Sequence, residues 1–209
     1  MTIQLFAFDT PNGRKISVAL AEMDLPFEVQ VVDITAGQQM APEFLSISPN
    51  NKIPAIIDPD GPDGQPISVF ESGAILIYLA EKSGKFIPKD VRGRTAVMEW
   101  LMFQMSSFGP MAGQVHHFIA LTSEEDRRYG LARFMAETRR LYGVMNRRLA
   151  DHTYIAGELS IADFALLGWV WRHPRHQVDL NDFLHVQRWY QALMARPAVA
   201  RGFAVALRH

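Results

Sequence analysis

This sequence predicts an α/β unit over its first eighty residues and an all-α unit after them. Three observations carry that prediction. Short apolar runs alternate with helical patterns as far as Lys82, a polar break follows, and beyond it the apolar spacing is almost wholly helical. A chain of 209 residues suits one ample domain or two small ones, with enough length to bury a real core. Apolar residues make up 48% and charged residues 21%, a composition that excludes a disordered or fibrous chain. The formal net charge of −1 argues against nucleic acid or an anionic membrane as the main partner. No run approaches the ~18 consecutive apolar residues of a membrane span. No basic leader or cleavage site precedes the first strand, so the cytoplasm is the expected compartment. Cysteine is absent, which excludes a disulfide framework, a cysteine nucleophile and a thiolate metal site.

Ile3 to Phe8 reads as a buried strand, closed by the turn-rich Asp9-Thr10-Pro11-Asn12-Gly13. Lys15 to Met23 gives a short helix carrying Ile16, Val18, Ala19, Leu20 and Met23; Pro26 stops it, and Phe27 to Val32 forms the next strand. That order implies a parallel pair joined by a right-handed crossover. An irregular stretch with Pro42 and Pro49 follows Gly37. Ala55 to Asp58 is a third strand, and the turn Pro59 to Gly64 returns the chain antiparallel as Pro66 to Phe70. A helix from Ser72 to about Lys82 turns Ile75, Leu76, Tyr78 and Leu79 inward. The order βαβαββα is a thioredoxin-like layout, expected over residues 1–83.

Ser83-Gly84-Lys85 and Pro88-Lys89-Asp90 form the expected linker, and residues 93–209 are expected to be all-helical. Thr95 to Ser107 is apolar nearly all round, as a helix buried in a bundle should be. Gly109-Pro110 is expected to kink or interrupt it before the pattern resumes through about Leu121. Ser123 to about Asp151 is a long amphipathic helix with Leu131, Phe134, Leu141, Val144, Met145 and Leu149 inward. Ser160-Ile161-Ala162-Asp163 opens another helix, and shorter ones fit Asp182 to Met194 and Ala198 to Leu207.

Three segments have chemical potential, and each has a plain structural alternative. A cis peptide at Ile53-Pro54 would turn residue 53 so that its N–H and C=O face an extended ligand; the alternative is an ordinary strand-start proline. Phe70-Glu71-Ser72 puts a carboxylate and a hydroxyl at a helix N-terminus. Ser72 as N-cap would account for that, yet the pair also offers an acceptor for an ammonium and N–H groups for a carboxylate, which suits an α-amino-acid head group. Thr10-Pro11-Asn12 lies at the carboxyl end of the first strand, where α/β folds hold ligands. It is either a plain turn or a set of donors able to stabilise a thiolate beside a helix N-terminus. Adjacent His116 and His117 diverge on a helix and are not expected to hold metal. Met98, Met102, Met105 and Met111 form an adaptable apolar face, read as core or dimer contact before substrate pocket. Trp169, Trp171 and Trp189 read as packing, and Arg127-Arg128 and Arg139-Arg140 as solvated faces.

Taken in order, these segments resemble the cytosolic glutathione transferases over essentially the whole chain. The resemblance is carried by Asn50-Asn51-Lys52-Ile53-Pro54-Ala55, by Phe70-Glu71-Ser72-Gly73-Ala74-Ile75 with Tyr78-Leu79, and by Ser160-Ile161-Ala162-Asp163-Phe164, the last a folding motif of the helical domain. Thr10-Pro11-Asn12-Gly13, Ile47 to Pro54, and Gly109-Pro110-Met111 with His116-His117-Phe118 look like the bacterial nu class, which includes glutathione-dependent disulfide-bond reductases. The resemblance implies Thr10 and Asn12 beside the glutathione sulfur. Gln39, Lys52 and the Ile53 backbone would hold the tripeptide, Glu71 and Ser72 its γ-glutamyl end, and Arg133 a further contact. It also implies a homodimer. The tyrosine, serine and cysteine that other classes use after the first strand are absent here.

Disulfide exchange needs an attacking thiolate, and a chain without cysteine must take every sulfur from its ligand. A free thiol titrates near ~8.5, leaving a few per cent thiolate at neutral pH; each unit of depression is worth about 1.4 kcal/mol. The expected activity is reduction of a disulfide by glutathione thiols, from one bound tripeptide or two. The alternatives are conjugation of glutathione to an electrophile, and a non-catalytic binding scaffold.

Overall fold

The computed structural model describes residues 2–208. The chain divides into two compact units, Met1–Ile87 with Ala195–His209, and Pro88–Met194.

The first unit is built on a four-stranded sheet in the order β2-β1-β3-β4. Strand β1 (Ile3–Ala7) runs parallel to β2 (Phe27–Val31), with Ile3 opposite Phe27, and antiparallel to β3 (Ala55–Asp58), with Leu5 opposite Ile56. Strand β4 (Ile67–Phe70) closes the hairpin, Ala55 facing Phe70. Ile3, Leu5 and Ala7 alternate inward along β1, the period expected of a pleated strand.

Helix α1 (Pro11–Met23) begins four residues before the expected Lys15. The turn residues that suggested a loop do the capping. Thr10 Oγ1 accepts from Gly13 N at 3.1 Å, and Pro11 takes the first helical position, where a missing N–H costs nothing. The stretch after β2 holds one 3₁₀ turn (Gln38–Met40) and the four-residue α2 (Pro42–Leu45). Helix α3 (Ser72–Ser83) buries Ile75, Leu76 and Leu79 as expected, with Tyr78 half-buried.

The last helical segment groups with the first unit, where it packs on α1. Helix α9 (Pro197–Ala204) lies on α1 so closely that a Cβ on Gly202 would sit 2.6 Å from Val18 Cα. Arg14 holds the end of α9 through bonds to the carbonyls of Phe203 (3.0 Å) and Val205 (2.9 Å), while Glu22 takes Arg196 in a two-pronged pair at 2.6 and 2.8 Å. Those partners lie more than 170 positions apart in sequence, beyond any local pattern.

The second unit comprises α4 (Val91–Phe103), a five-residue π turn (Gln104–Phe108), α5 (Gly109–Ala120), α6 (Glu124–Ala150), α7 (Ile161–Val170) and α8 (Leu184–Met194). The irregularity expected at Gly109-Pro110 falls just before it, as the π turn; Pro110 sits in the first turn of α5, where it is tolerated. Helix α4 is not buried all round. It packs one face on α7, burying Val97 and Leu101 and leaving Met102 45% exposed. The helix buried along its whole length is α7. On α6, Leu141, Met145 and Leu149 are buried, and Leu131, Phe134 and Val144 are half-buried. Among the described residues no helix is long and apolar enough to cross a membrane.

Candidate functional site

The loop after β1 is tight and locally determined. Thr10 N donates to Phe8 O at 2.7 Å, and Arg14 N donates to Thr10 O at 3.0 Å. Thr10 Oγ1 accepts from Gly13 N and keeps an O–H able to donate beside the first turn of α1. Asn12, in that same first turn, is half-buried.

The approach to β3 forms a second wall. Ser48 Oγ donates to Lys52 O at 2.8 Å, Asn51 adopts a left-handed backbone (φ 47°), and the Ile53–Pro54 peptide is cis. Lys52 is exposed. Gln39, after β2, is half-buried, and its Oε1 is enclosed without a hydrogen-bond partner among the described residues.

The start of α3 departs from a simple cap. Glu71, not Ser72, occupies the N-cap position, and its side chain makes no capping bond. Its backbone (φ 66°, ψ 118°) lies in a region where a non-glycine residue is strained, a cost of about 1–3 kcal/mol that clusters at functional sites. The Glu71 carboxylate instead accepts from Asn50 Nδ2 at 3.1 Å. Ser72, the first helical residue, is buried, and Lys15 Nζ donates to its Oγ at 3.1 Å. Burial pulls the Lys15 ammonium down from 10.5 to about 7, against the Glu71 carboxylate, which pushes it up. The fold thus brings one carboxylate and one buried amine, the latter 57 positions from Ser72 in sequence, to the N-terminus of α3, complementary to a group bearing both charges.

Of the residues singled out from sequence, Thr10 and Asn12 share the start of α1, and Glu71 and Ser72 the start of α3. Lys15 ties these two helices together. Arg133 stands elsewhere, exposed on α6 in the helical unit, lining a groove of about 710 Å³ with Met111, Tyr129, Phe134, Glu137 and Arg140. Arg140 there is held by Glu137 through two 2.7 Å bonds.

Sequence reasoning missed Lys15 and the supporting role of Asn50. The signal for Lys15 was its place beside Ile16 in a helix with almost no polar face. A third group joins residues whose mutual contact was not foreseen from sequence. Tyr78 Oη donates to Asp58 Oδ2 at 2.6 Å, with Lys82 Nζ 3.0 Å from the same oxygen. Burial alone would raise the Asp58 carboxyl, but the bonds from Tyr78 and Lys82 outweigh it and hold the group below its ordinary value.

Comparison with known proteins gives the family. Residues 1–81 match the family description "Glutathione S-transferase, N-terminal domain", and residues 108–197 match the corresponding C-terminal domain. Disulfide-bond oxidoreductase YfcG of Escherichia coli is 45% identical over 201 residues, covering 95% of this chain and 93% of its own. A glutathione transferase from Burkholderia graminis, solved with two glutathione molecules bound per subunit, superposes with a TM-score of 0.92 at 45% identity, covering all of this chain and 90% of that one. A Pseudomonas putida glutathione transferase, solved with one glutathione disulfide per subunit, gives 0.91 at 42% identity, covering 98% and 91%. The sheet order, the strained turn into α3 and these matches along both units have one common explanation: this chain belongs to the glutathione S-transferase family.

Proposed function

We propose that this protein binds glutathione and reduces disulfides with glutathione thiols. The observation that carries the reading is the absence of cysteine from a chain whose relatives hold two glutathiones, or one glutathione disulfide, per subunit. A first glutathione thiolate attacks one sulfur of the disulfide, forming a mixed disulfide and releasing a thiolate that takes a proton. A second glutathione thiolate attacks the glutathione sulfur of that intermediate, giving glutathione disulfide and the second thiol. Thr10 and Asn12 act as donors to the attacking sulfur, helped by the N-terminus of α1. Gln39, Lys52 and the Ile53 backbone hold the tripeptide, while Glu71 and Ser72 take its γ-glutamyl ammonium and carboxylate. Arg133 is a further contact. A homodimer in the cytoplasm completes the reading, supported by exposed apolar residues on α4, where Val91 is 82% exposed.

The test is turnover of a small disulfide by glutathione, followed by recycling of the glutathione disulfide. Asn12→Ala is expected to lower kcat/KM at least ~10-fold and to raise the thiol pKa of bound glutathione, read by thiolate absorbance; unchanged turnover sinks the sulfur contact. Turnover of a chlorodinitrobenzene-type electrophile in place of the disulfide would favour conjugation, and inertness in both assays would leave a binding scaffold.

A further inference from the structure

Sulfur within reach of an oxidant is scarce in this chain. Cysteine is absent, and among the described residues only two methionines are exposed, Met40 at 57% and Met102 at 45%; the rest are buried or half-buried. Met40 closes the 3₁₀ turn after β2, next to Gln39, and its Sδ accepts from Asn51 Nδ2 at 3.0 Å. Asn51 directly precedes Lys52 and the cis Ile53–Pro54 peptide, and its neighbour Asn50 donates to the Glu71 carboxylate. We propose that Met40 is a modification site: oxidation of its thioether to the sulfoxide by a hydroperoxide loosens the 3₁₀ turn from the Asn50–Lys52 loop and weakens binding of the tripeptide. The proposal rests on the reading that Gln39, Lys52 and the Ile53 backbone hold glutathione.

The bonds that shape the turn are local. Gln38 N donates to Asp33 O at 3.1 Å, Asp33 N to Gln38 Oε1 at 2.8 Å, and Met40 N to Gly37 O at 3.0 Å. The Met40–Asn51 bond crosses eleven positions and joins this turn to the approach to β3. Its donor is well held: Asn51 N donates to Ser48 O at 2.9 Å, Ser48 Oγ donates to Lys52 O at 2.8 Å, and the left-handed backbone at φ 47° is one that asparagine tolerates. A leucine would serve an apolar contact as well as methionine does; the sulfur adds an acceptor and an oxidisable centre. In the oxidation the sulfur takes one oxygen of hydrogen peroxide as the O–O bond breaks, and the other oxygen leaves as water with both protons. Sulfur loses two electrons and the peroxide gains them. The sulfoxide is polar and chiral, and its oxygen stands off the sulfur. A bond of ~2.9 Å from Asn51 Nδ2 to that oxygen obliges the sulfur, 3.0 Å away before oxidation, to retreat, and Gln39 moves with the turn.

The test treats the protein with increasing doses of hydrogen peroxide and removes the oxidant. Peptide mass spectrometry then scores each methionine, and calorimetry reads affinity for S-methylglutathione, which has no free thiol. Kd is expected to rise at least ~5-fold in step with conversion of Met40 and not with that of Met102. Methionine sulfoxide reductases of both stereospecificities should restore the affinity. Met40→Leu should lose the response to peroxide and Met102→Leu should keep it. Asn51→Gly, which removes the donor and retains the left-handed backbone, should bind alike before and after oxidation. Affinity that stays constant while Met40 is converted overturns the proposal alone. So does a loss that persists in Met40→Leu, or a Met40 left intact at doses that convert Met102. Absence of any binding to the untreated protein removes the glutathione reading and this proposal with it.

Discussion

Gly13 is the residue of the candidate site least able to accept a side chain. A Cβ there would collide with the backbone oxygen of Phe8, which cannot swing aside as the end of a flexible side chain could. Gly13→Ala must therefore push Phe8–Thr10 away from the start of α1, taking the Thr10 hydroxyl with it. The expected cost is about 2 kcal/mol of stability together with a loss of turnover, read by thermal melting and by the disulfide assay on one preparation. Lys15→Met should behave in the opposite way. The unfolded chain keeps a lysine protonated up to about 10.5 and the folded one only to about 7, so burial of Lys15 costs stability that is fully present below pH 7 and relieved as pH rises towards 10.5. Removing the group removes that cost. The variant should melt no lower than the parent at pH 7, read in the same melts.

Helix α7 shows the same logic on a larger piece of chain. Ser160 and Asp163 form a capping box, but the carboxylate also accepts from Ile155 N at 2.9 Å and Trp189 Nε1 at 2.8 Å. Burial pushes this carboxyl up to about 6, against its four donors. Asp163→Ala would leave those donors buried without an acceptor, and the expected loss is about 3 kcal/mol or more, measured by chemical denaturation of the helical unit. The box was legible in sequence because its members lie three residues apart; Trp189, read there as packing, lies 26 away and was not. The strands were legible for the same reason, since run length, alternation and turn chemistry are local. Helix α4 was misjudged because its apolar content says nothing about how many faces meet a partner. The destination of α9, the role of Lys15 and the hold of Asn50 on Glu71 all depend on contacts across long stretches of sequence. The sequence gives the parts of such a site by motif and cannot show which of them touch.

At the scale of the whole molecule the charges are balanced: protonating all seven histidines takes the formal charge from −1 only to +6, so general repulsion is a weak acid denaturant here. The sensitive place is a buried cluster in the helical unit. His116 and His176 stack with ring centres 4.9 Å apart, against Trp169, and neither Nε2 has a hydrogen-bond partner among the described residues. Burial, reinforced at His116 by Arg175 and Arg172 and at His176 by His116, His173 and then the same two arginines, pulls His116 down to about 4 and His176 to about 3. Their folded values lie below the unfolded 6.5, so the stability they contribute is complete above pH 6.5 and drains away as pH falls towards 4 and then 3. Asp163 works against this, because its raised value lets the folded state gain a proton between pH 6 and 3.8. The histidines outnumber it, and a net loss of ~2 kcal/mol is expected between pH 7 and 5. In the sheet unit Asp58 sits below its ordinary value, so its contribution survives until pH falls through 3.8. All four tryptophans, at 100, 169, 171 and 189, lie in Pro88–Met194, so their fluorescence reports on the helical unit alone. On acidification to about pH 5, denaturant midpoints read by tryptophan fluorescence should fall while amide protection along β1 persists. His176→Gln should remove most of that fall, because the remaining histidine is largely offset by Asp163, whereas an unchanged slope would place the acid sensitivity outside the histidine cluster.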